Sequence, residues 1–164
     1  TPIAFHFGSR YPFGYGLAYT QFEYSDLRVE SDSVDIEHGE INVTCRVRNT
    51  GARQGVAVPQ LYVRDVLASV VRPVKELKAF GRVELKPGEA AGVTFSVPGD
   101  MLCFTGYDGN RIVEAGQFEL QVGASSVDIR LRKMVEVTGK TAGEVRGLGR
   151  DWRMFSGSVS EAAG

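Results

Sequence analysis

The sequence predicts an all-β sandwich of antiparallel strands, and three observations carry that prediction. Apolar and polar residues alternate with period two through the middle of the chain, as half-buried strands require. Gly, Pro and Asn turn signals fall where those runs stop, and helical periodicity is almost absent. At 164 residues the chain is long enough for one domain with its own core. The spacing of runs and turns gives about seven strands, which suits two facing sheets.

Taken in order, residues 1–20 are dense in Gly and aromatics and lack alternation, so they read as an extended arm whose rings must pack on something. Phe22, Tyr24, Leu27 and Val29 form a first strand with one slip in phase, as a β-bulge produces. Ile41, Val43, Cys45 and Val47 take one face of the next, with Asn42, Thr44, Arg46 and Arg48 opposite. Asn49-Thr50-Gly51 ends it. The run Val66–Val71 is apolar, short and followed by Pro73, which makes it a loop with strand character. Val93, Phe95 and Val97 alternate with Thr94 and Ser96, bracketed by Pro87-Gly88 and Pro98-Gly99.

Asp108-Gly109 suits a two-residue hairpin turn. Phe118, Leu120 and Val122, then Val127, Ile129 and Leu131, supply two further strands around Gly123. Residues 139–164 are rich in Gly, Ser and charge around Trp152 and Phe155, and fit a final edge strand, a disordered tail, or half of each. The chain therefore divides into an arm (1–20), a sandwich (21–138) and a tail (139–164).

Composition excludes several function classes. The formal net charge is −1, with Lys and Arg interspersed among Asp and Glu, which argues against nucleic-acid and anionic-membrane surfaces. No apolar run approaches the ~20 residues of a membrane helix. No charged start and apolar middle mark a secretory leader, although the stretch opens on Thr1-Pro2-Ile3 and not on Met. Cys45 and Cys103 read as two buried thiols, with a single bridge between them left open. His6 and His38 do not stand at ligand spacing from a cysteine or from each other, so no metal site is expected.

The chemistry-bearing motifs are incomplete. Gly14-Tyr15-Gly16 lacks the third glycine, the preceding strand and the following helix of a dinucleotide loop. Phe155-Ser156-Gly157 has no evident base. Glycoside hydrolysis needs two carboxyls about 5–10 Å apart across a cleft, yet Glu119 and Asp128 sit on polar strand faces, and Glu89, Asp100 and Asp108 lie in turns. Glu76, after Arg72-Pro73, suits a structural ion pair with Arg72. No catalytic, cofactor or metal residue is assigned. The aromatics Tyr11, Phe13, Tyr15, Tyr19, Tyr107 and Trp152 suit packing against the sandwich or a neighbouring domain, or stacking on a saccharide ring.

Four stretches, in order, carry a resemblance. They are Pro12-Phe13-Gly14-Tyr15-Gly16-Leu17-Ala18-Tyr19-Thr20 with Phe22 and Tyr24; Val47-Arg48-Asn49-Thr50-Gly51 with Gly55 and Gln60-Leu61-Tyr62-Val63; Arg72-Pro73-Val74-Lys75-Glu76-Leu77-Lys78-Ala79-Phe80 running to Leu85-Lys86-Pro87-Gly88-Glu89; and Glu114-Ala115-Gly116-Gln117-Phe118 through Asp128-Ile129-Arg130-Leu131. Together they resemble the C-terminal domain of bacterial family-3 glycoside hydrolases of the β-glucosidase and β-xylosidase type. Ala18 stands where Ser is common, and the match weakens after Gly139.

The resemblance implies a fibronectin type III-like (immunoglobulin-like) sandwich that serves as a non-catalytic accessory domain. In that family the nucleophilic Asp lies on a preceding barrel and the acid/base on an α/β domain, so no catalytic residue carries over. The expected partners are those catalytic domains, with Phe13, Tyr15 and Tyr19 as docking anchors around glycines 14 and 16. Two other readings stay open: an independent module that binds polysaccharide, and a generic interaction sandwich.

Overall fold

The computed structural model of the chain describes residues 10–67, 73–140, 144–149, 153 and 156–161. Its strands, in chain order, are β1 Phe22–Val29, β2 Ser33–Asp35, β3 Glu40–Asn49, β4 Gly55–Ala57, β5 Gln60–Asp65, β6 Glu76–Phe80 and β7 Val83–Leu85. They continue as β8 Ala90–Pro98, β9 Phe104–Thr105, β10 Arg111–Glu114, β11 Gly116–Gly123, β12 Ile129–Thr138, β13 Val145–Gly147 and β14 Ser156–Glu161, with one 3-10 turn at Gly99–Leu102.

Two main sheets enclose the core: a four-stranded sheet β1-β3-β8-β14 and a five-stranded sheet β2-β12-β11-β5-β6. Smaller sheets, β13-β10-β9 and β4-β7, flank them. This is the predicted sandwich. The strands beyond the expected seven are mostly two to four residues long, too short for an alternation to be read along them.

Alternation decides which face each long strand buries. In β3 and β8, Ile41 lies opposite Val97, Val43 opposite Phe95, and Cys45 opposite Val93. All six side chains point inward and are buried. From the second sheet, Phe118, Leu120 and Val122 of β11 meet them. Removing a side chain such as Phe95 from water stabilises the fold by about 1.5–3 kcal/mol. β-branched and aromatic residues fit this pleated, two-sided environment.

The phase slip in β1 is a bulge: the register to β3 shifts between Ser25 and Arg28, and Asp26 adopts φ 54° there. Leu27 and Val29 thereby return to the side facing the core. The hairpin at Asp108-Gly109 is longer than the two-residue turn its sequence suggested. Gly106 and Asn110 close the loop, the Gly109 N–H donates to the Gly106 carbonyl, and Gly109 takes φ +80°. This is a turn followed by a left-handed glycine, the usual three-residue solution. Among the described residues one pairing is parallel, β2 with β12. Cys45 and Cys103 are free thiols, both buried, so the open possibility of a bridge is not realised.

The C-terminal segment adds β14 to the free edge of β8. A buried carboxylate helps hold it. Asp100, in the 3-10 turn, pairs with the Arg146 guanidinium through Oδ1 and accepts the Arg153 N–H on Oδ2 at 2.9 Å. Asp100 lies in a turn, as its sequence context predicts, and is nearly inaccessible there. Burial pushes its carboxyl up; the Arg153 N–H and the Arg146 guanidinium outweigh that and hold it below the usual range.

Candidate docking surface

The arm from Arg10 to Thr20 has no strand partner, so its backbone groups must be satisfied elsewhere. A turn begins the solution. The Tyr15 N–H donates to the Pro12 carbonyl at 3.0 Å, with Gly14 at φ +77° in the third position, where only glycine sits without strain. The sandwich then grips the turn from both sides. Ser126 N–H donates to the Phe13 carbonyl at 2.9 Å, and Gln60 Nε2 donates to the Gly14 carbonyl at 2.9 Å.

Gln60 is itself fixed. Its Nε2 also donates to the Ala124 carbonyl at 2.8 Å, while its Oε1 accepts the Tyr62 hydroxyl at 2.5 Å. A Cβ on Gly14 would stand 2.0 Å from Gln60 Oε1 and 2.7 Å from the Tyr62 hydroxyl oxygen. Gly14 is therefore required twice, by its φ and by its close approach. Gly16 is not: it has open space around its missing Cβ and no positive φ.

A second anchor holds the arm's other end. The Thr20 hydroxyl donates to Asn49 Oδ1 at 2.7 Å, and the Thr50 N–H donates to the Gln21 carbonyl at 2.9 Å. Asn49 is completely buried, and its carboxamide makes four hydrogen bonds. Nδ2 donates to the Arg53 and Leu85 carbonyls at 2.7 and 2.9 Å; besides Thr20, Oδ1 accepts the Gly51 N–H at 3.0 Å.

Pinned at both ends, the arm still turns its side chains outward. Phe13 is 66% exposed, Tyr15 48% and Tyr19 92%, and Tyr11 and Leu17 are exposed beside them. Tyr11 and Tyr15 lean on each other, with ring centroids 5.6 Å apart. A groove of 260 Å³ runs between the arm and the sandwich, lined by Tyr15, Leu17, Phe22, Tyr24, Val56 and Ala124 among others. Tyr24, one of the residues that line it, is nearly buried, and burial pushes its hydroxyl up to about 12, with Cys45 adding to the shift and Arg130 opposing it. Exposed rings beside a partly apolar groove on a fixed backbone are what protein contact sites present.

The remaining candidates fall elsewhere. Arg72 and Trp152 lie outside the described residues. Glu76, expected opposite Arg72, accepts from the buried Lys78 ammonium at 2.8 Å. Tyr107 is exposed at the tip of the β9–β10 hairpin. Glu119 of β11 accepts from Gln121 Nε2 at 2.5 Å and from Arg132 Nη1 at 3.3 Å. Burial pushes its carboxyl up, but those partners hold it below the usual range. No group of three or more His, Cys, Asp or Glu suited to a metal ion occurs among the described residues. Nor is any helix among them long and apolar enough to cross a membrane.

Sequence reading missed Gln60, Tyr62 and Asn49, the three side chains that seat the arm. Only their oddity as polar residues beside apolar runs hinted at them.

Comparison with known proteins places this geometry. Residues 57–126 match the model of the fibronectin type III-like domain. The chain is 46% identical over 131 residues to the thermostable β-glucosidase B of Acetivibrio thermocellus, covering 77% of this chain and 17% of that protein. It is 44% identical over 116 residues to a β-xylosidase of Formosa agariphila, covering 71% and 16%. The solved structure of β-glucosidase 3B from Thermotoga neapolitana in complex with glucose superposes with a TM-score of 0.72 at 40% identity, over 84% of this chain and 18% of that one. The chain thus spans about one-sixth of the length of the curated relatives it matches.

Proposed function

The chain is a fibronectin type III-like domain of the family-3 glycoside hydrolase type, and from that premise we propose that it is a non-catalytic accessory domain of a β-glycosidase. It docks on the catalytic domains of its parent and stabilises or positions them. One observation carries this reading: the arm's backbone is clamped at Phe13–Gly14 and at Thr20–Gln21, while Phe13, Tyr15 and Tyr19 stay exposed between and beside the clamps. Ordering a segment costs about 1–2 kcal/mol per residue in backbone entropy. That cost is sensible where rigid rings will be presented to a partner. The parent's activity towards β-glucosides or β-xylosides is inferred from the relatives, each about six times longer than the match.

The test uses the full-length parent with Phe13→Ala, Tyr15→Ala and Tyr19→Ala combined. The domain should loosen, seen as faster proteolysis between domains and a lower thermal midpoint. Unchanged stability and unchanged domain contacts would sink the reading. The isolated chain should release no sugar from aryl β-glucoside or β-xyloside. Its retention on insoluble glucan or xylan, abolished by Tyr107→Ala, would instead favour a polysaccharide-binding module.

A further inference from the structure

Beside the arm, the outer face of the five-stranded sheet carries an unbalanced group of charges. Arg64 on β5, Glu119 on β11 and Arg132 on β12 share this face, since Glu119 lies opposite Arg64 and its outward neighbour Gln121 lies opposite Arg132. Glu119, with its side chain 18% exposed, faces Arg132 Nη1 at 3.3 Å and Arg64 Nη1 at 3.9 Å. Lys75 joins from the segment before β6: its Nζ donates to Gln121 Oε1 at 3.2 Å and stands 5.8 Å from the Tyr62 ring centroid. Two arginines therefore flank one carboxylate, with a third cation on its neighbour Gln121, in a chain whose net charge is −1. Arg64 and Arg132 remain 49% and 54% exposed. Each guanidinium has five N–H donors and offers Glu119 only one nitrogen, leaving most of its fork open. Burial and the neighbouring Arg132 hold the Lys75 ammonium below the usual lysine range, against the pull of Glu119.

This group is continuous with the arm's seat. Tyr62, under Lys75, passes its hydroxyl to Gln60, which grips Gly14. Arg64 lies four residues from Gln60 along β5, about 13 Å at ~3.3 Å per residue. A typical contact patch covers about 800 Å² per partner and would include both. A partner seated on the arm would then strip water from the two arginines. Desolvating unpaired charge is costly, and planar carboxylates that meet the guanidinium forks offset it.

We infer that Arg64, Arg132 and Lys75 form a cationic contact site for carboxylates on the surface of the parent protein outside this chain, adjoining the aromatic arm. The inference rests on the docking reading above and gives its partner surface a chemistry: an apolar seat beside Asp or Glu side chains. Such pairing fixes orientation more than it adds affinity.

The experiment uses the full-length parent carrying Arg64→Lys and Arg132→Lys, which keeps the charge and supplies amines. A carbodiimide then joins amine to carboxylate with no spacer, and mass spectrometry locates the new amides. Amides to Glu119 serve as the internal control. Amides from position 64 or 132 to Asp or Glu outside this chain are expected, and they should vanish in Arg64→Gln/Arg132→Gln. Amides to Glu119 alone would overturn the inference. So would retardation of the unmodified parent in a polygalacturonate gel that is lost in Arg64→Gln/Arg132→Gln, since the occupant would then be an acidic glycan. The triple alanine arm variant separates the two readings. If it loosens the domain while no outside amide forms, docking stands and the cationic site falls. If outside amides form and the arm variant changes nothing, the cationic site stands and the arm reading falls.

Discussion

Asn49→Ala should be among the most damaging single changes in the sandwich, although the side chain it removes is polar. The side chain is wholly buried, and its carboxamide satisfies the carbonyls of Arg53 and Leu85, the N–H of Gly51 and the hydroxyl of Thr20. Truncation strands all four. The Leu85 carbonyl is reached only inside the protein, and losing its partner costs about 1–3 kcal/mol. The other three lie nearer solvent, and each lost bond costs about 0.5–1.5 kcal/mol net. Allowing for relaxation and entering water, the total is about 3–5 kcal/mol. At ~2–4 °C per kcal/mol for a chain this size, the thermal midpoint should fall by roughly 6–20 °C.

Urea titration followed by circular dichroism gives the free energy directly. Asn49→Asp sharpens the test, because it keeps the shape but puts oxygen where Nδ2 faced two carbonyls. Its folded-state pKa should be raised by burial and by those carbonyls. A raised folded pKa means the variant recovers stability below its unfolded value of ~3.9 and loses it as pH rises. A loss under about 1 kcal/mol for Asn49→Ala, or an Asn49→Asp variant as stable as wild type at pH 7, would refute the hub.

Other consequences are local. Gly14→Ala must relieve a 2.0 Å contact with Gln60 Oε1 and a φ of +77°, so the arm should detach at a cost of ~1–3 kcal/mol, read as faster amide exchange at Tyr15 and Ser126. Gly16→Ala meets nothing within 4 Å and should change stability by no more than ~0.5 kcal/mol; equal behaviour of the two variants would contradict the turn geometry. Asp100 has a depressed carboxyl, so its contribution is present above the unfolded value of ~3.9 and is lost as pH falls through the folded one. Exchange protection of β13 and β14 should therefore drop in acid. Asp100→Asn should show weaker protection at pH 7 and a flatter acid response. Cys45 and Cys103 should resist thiol reagents in the native state and react together on unfolding, since both are buried and burial pushes the Cys45 thiol up to about 12.

The parts of this fold that could be read along the chain are those decided by neighbours in sequence. Alternation assigned the buried faces of β3, β8 and β11, because successive strand side chains point to opposite sides whatever they pair with. The phase slip at Leu27 announced the β1 bulge for the same reason. An arm dense in rings could be read from composition alone. What holds those rings outward could not, because it depends on partners brought together by the sheet order. Gln60 reaches Gly14 across 46 residues, Asn49 reaches Leu85 across 36, and Asp100 meets Arg146 across 46. A turn acid and a buried ion pair look identical in sequence until a distant arginine arrives. The same holds on the outer face of the five-stranded sheet. Arg64 and Arg132 are ordinary polar-face residues in their own strands, and only the β5-β11-β12 register gathers them around a single glutamate, with Lys75 reaching Gln121 from the segment before β6. Local pattern fixes which side of a strand is wet, whereas topology alone fixes which charges share it.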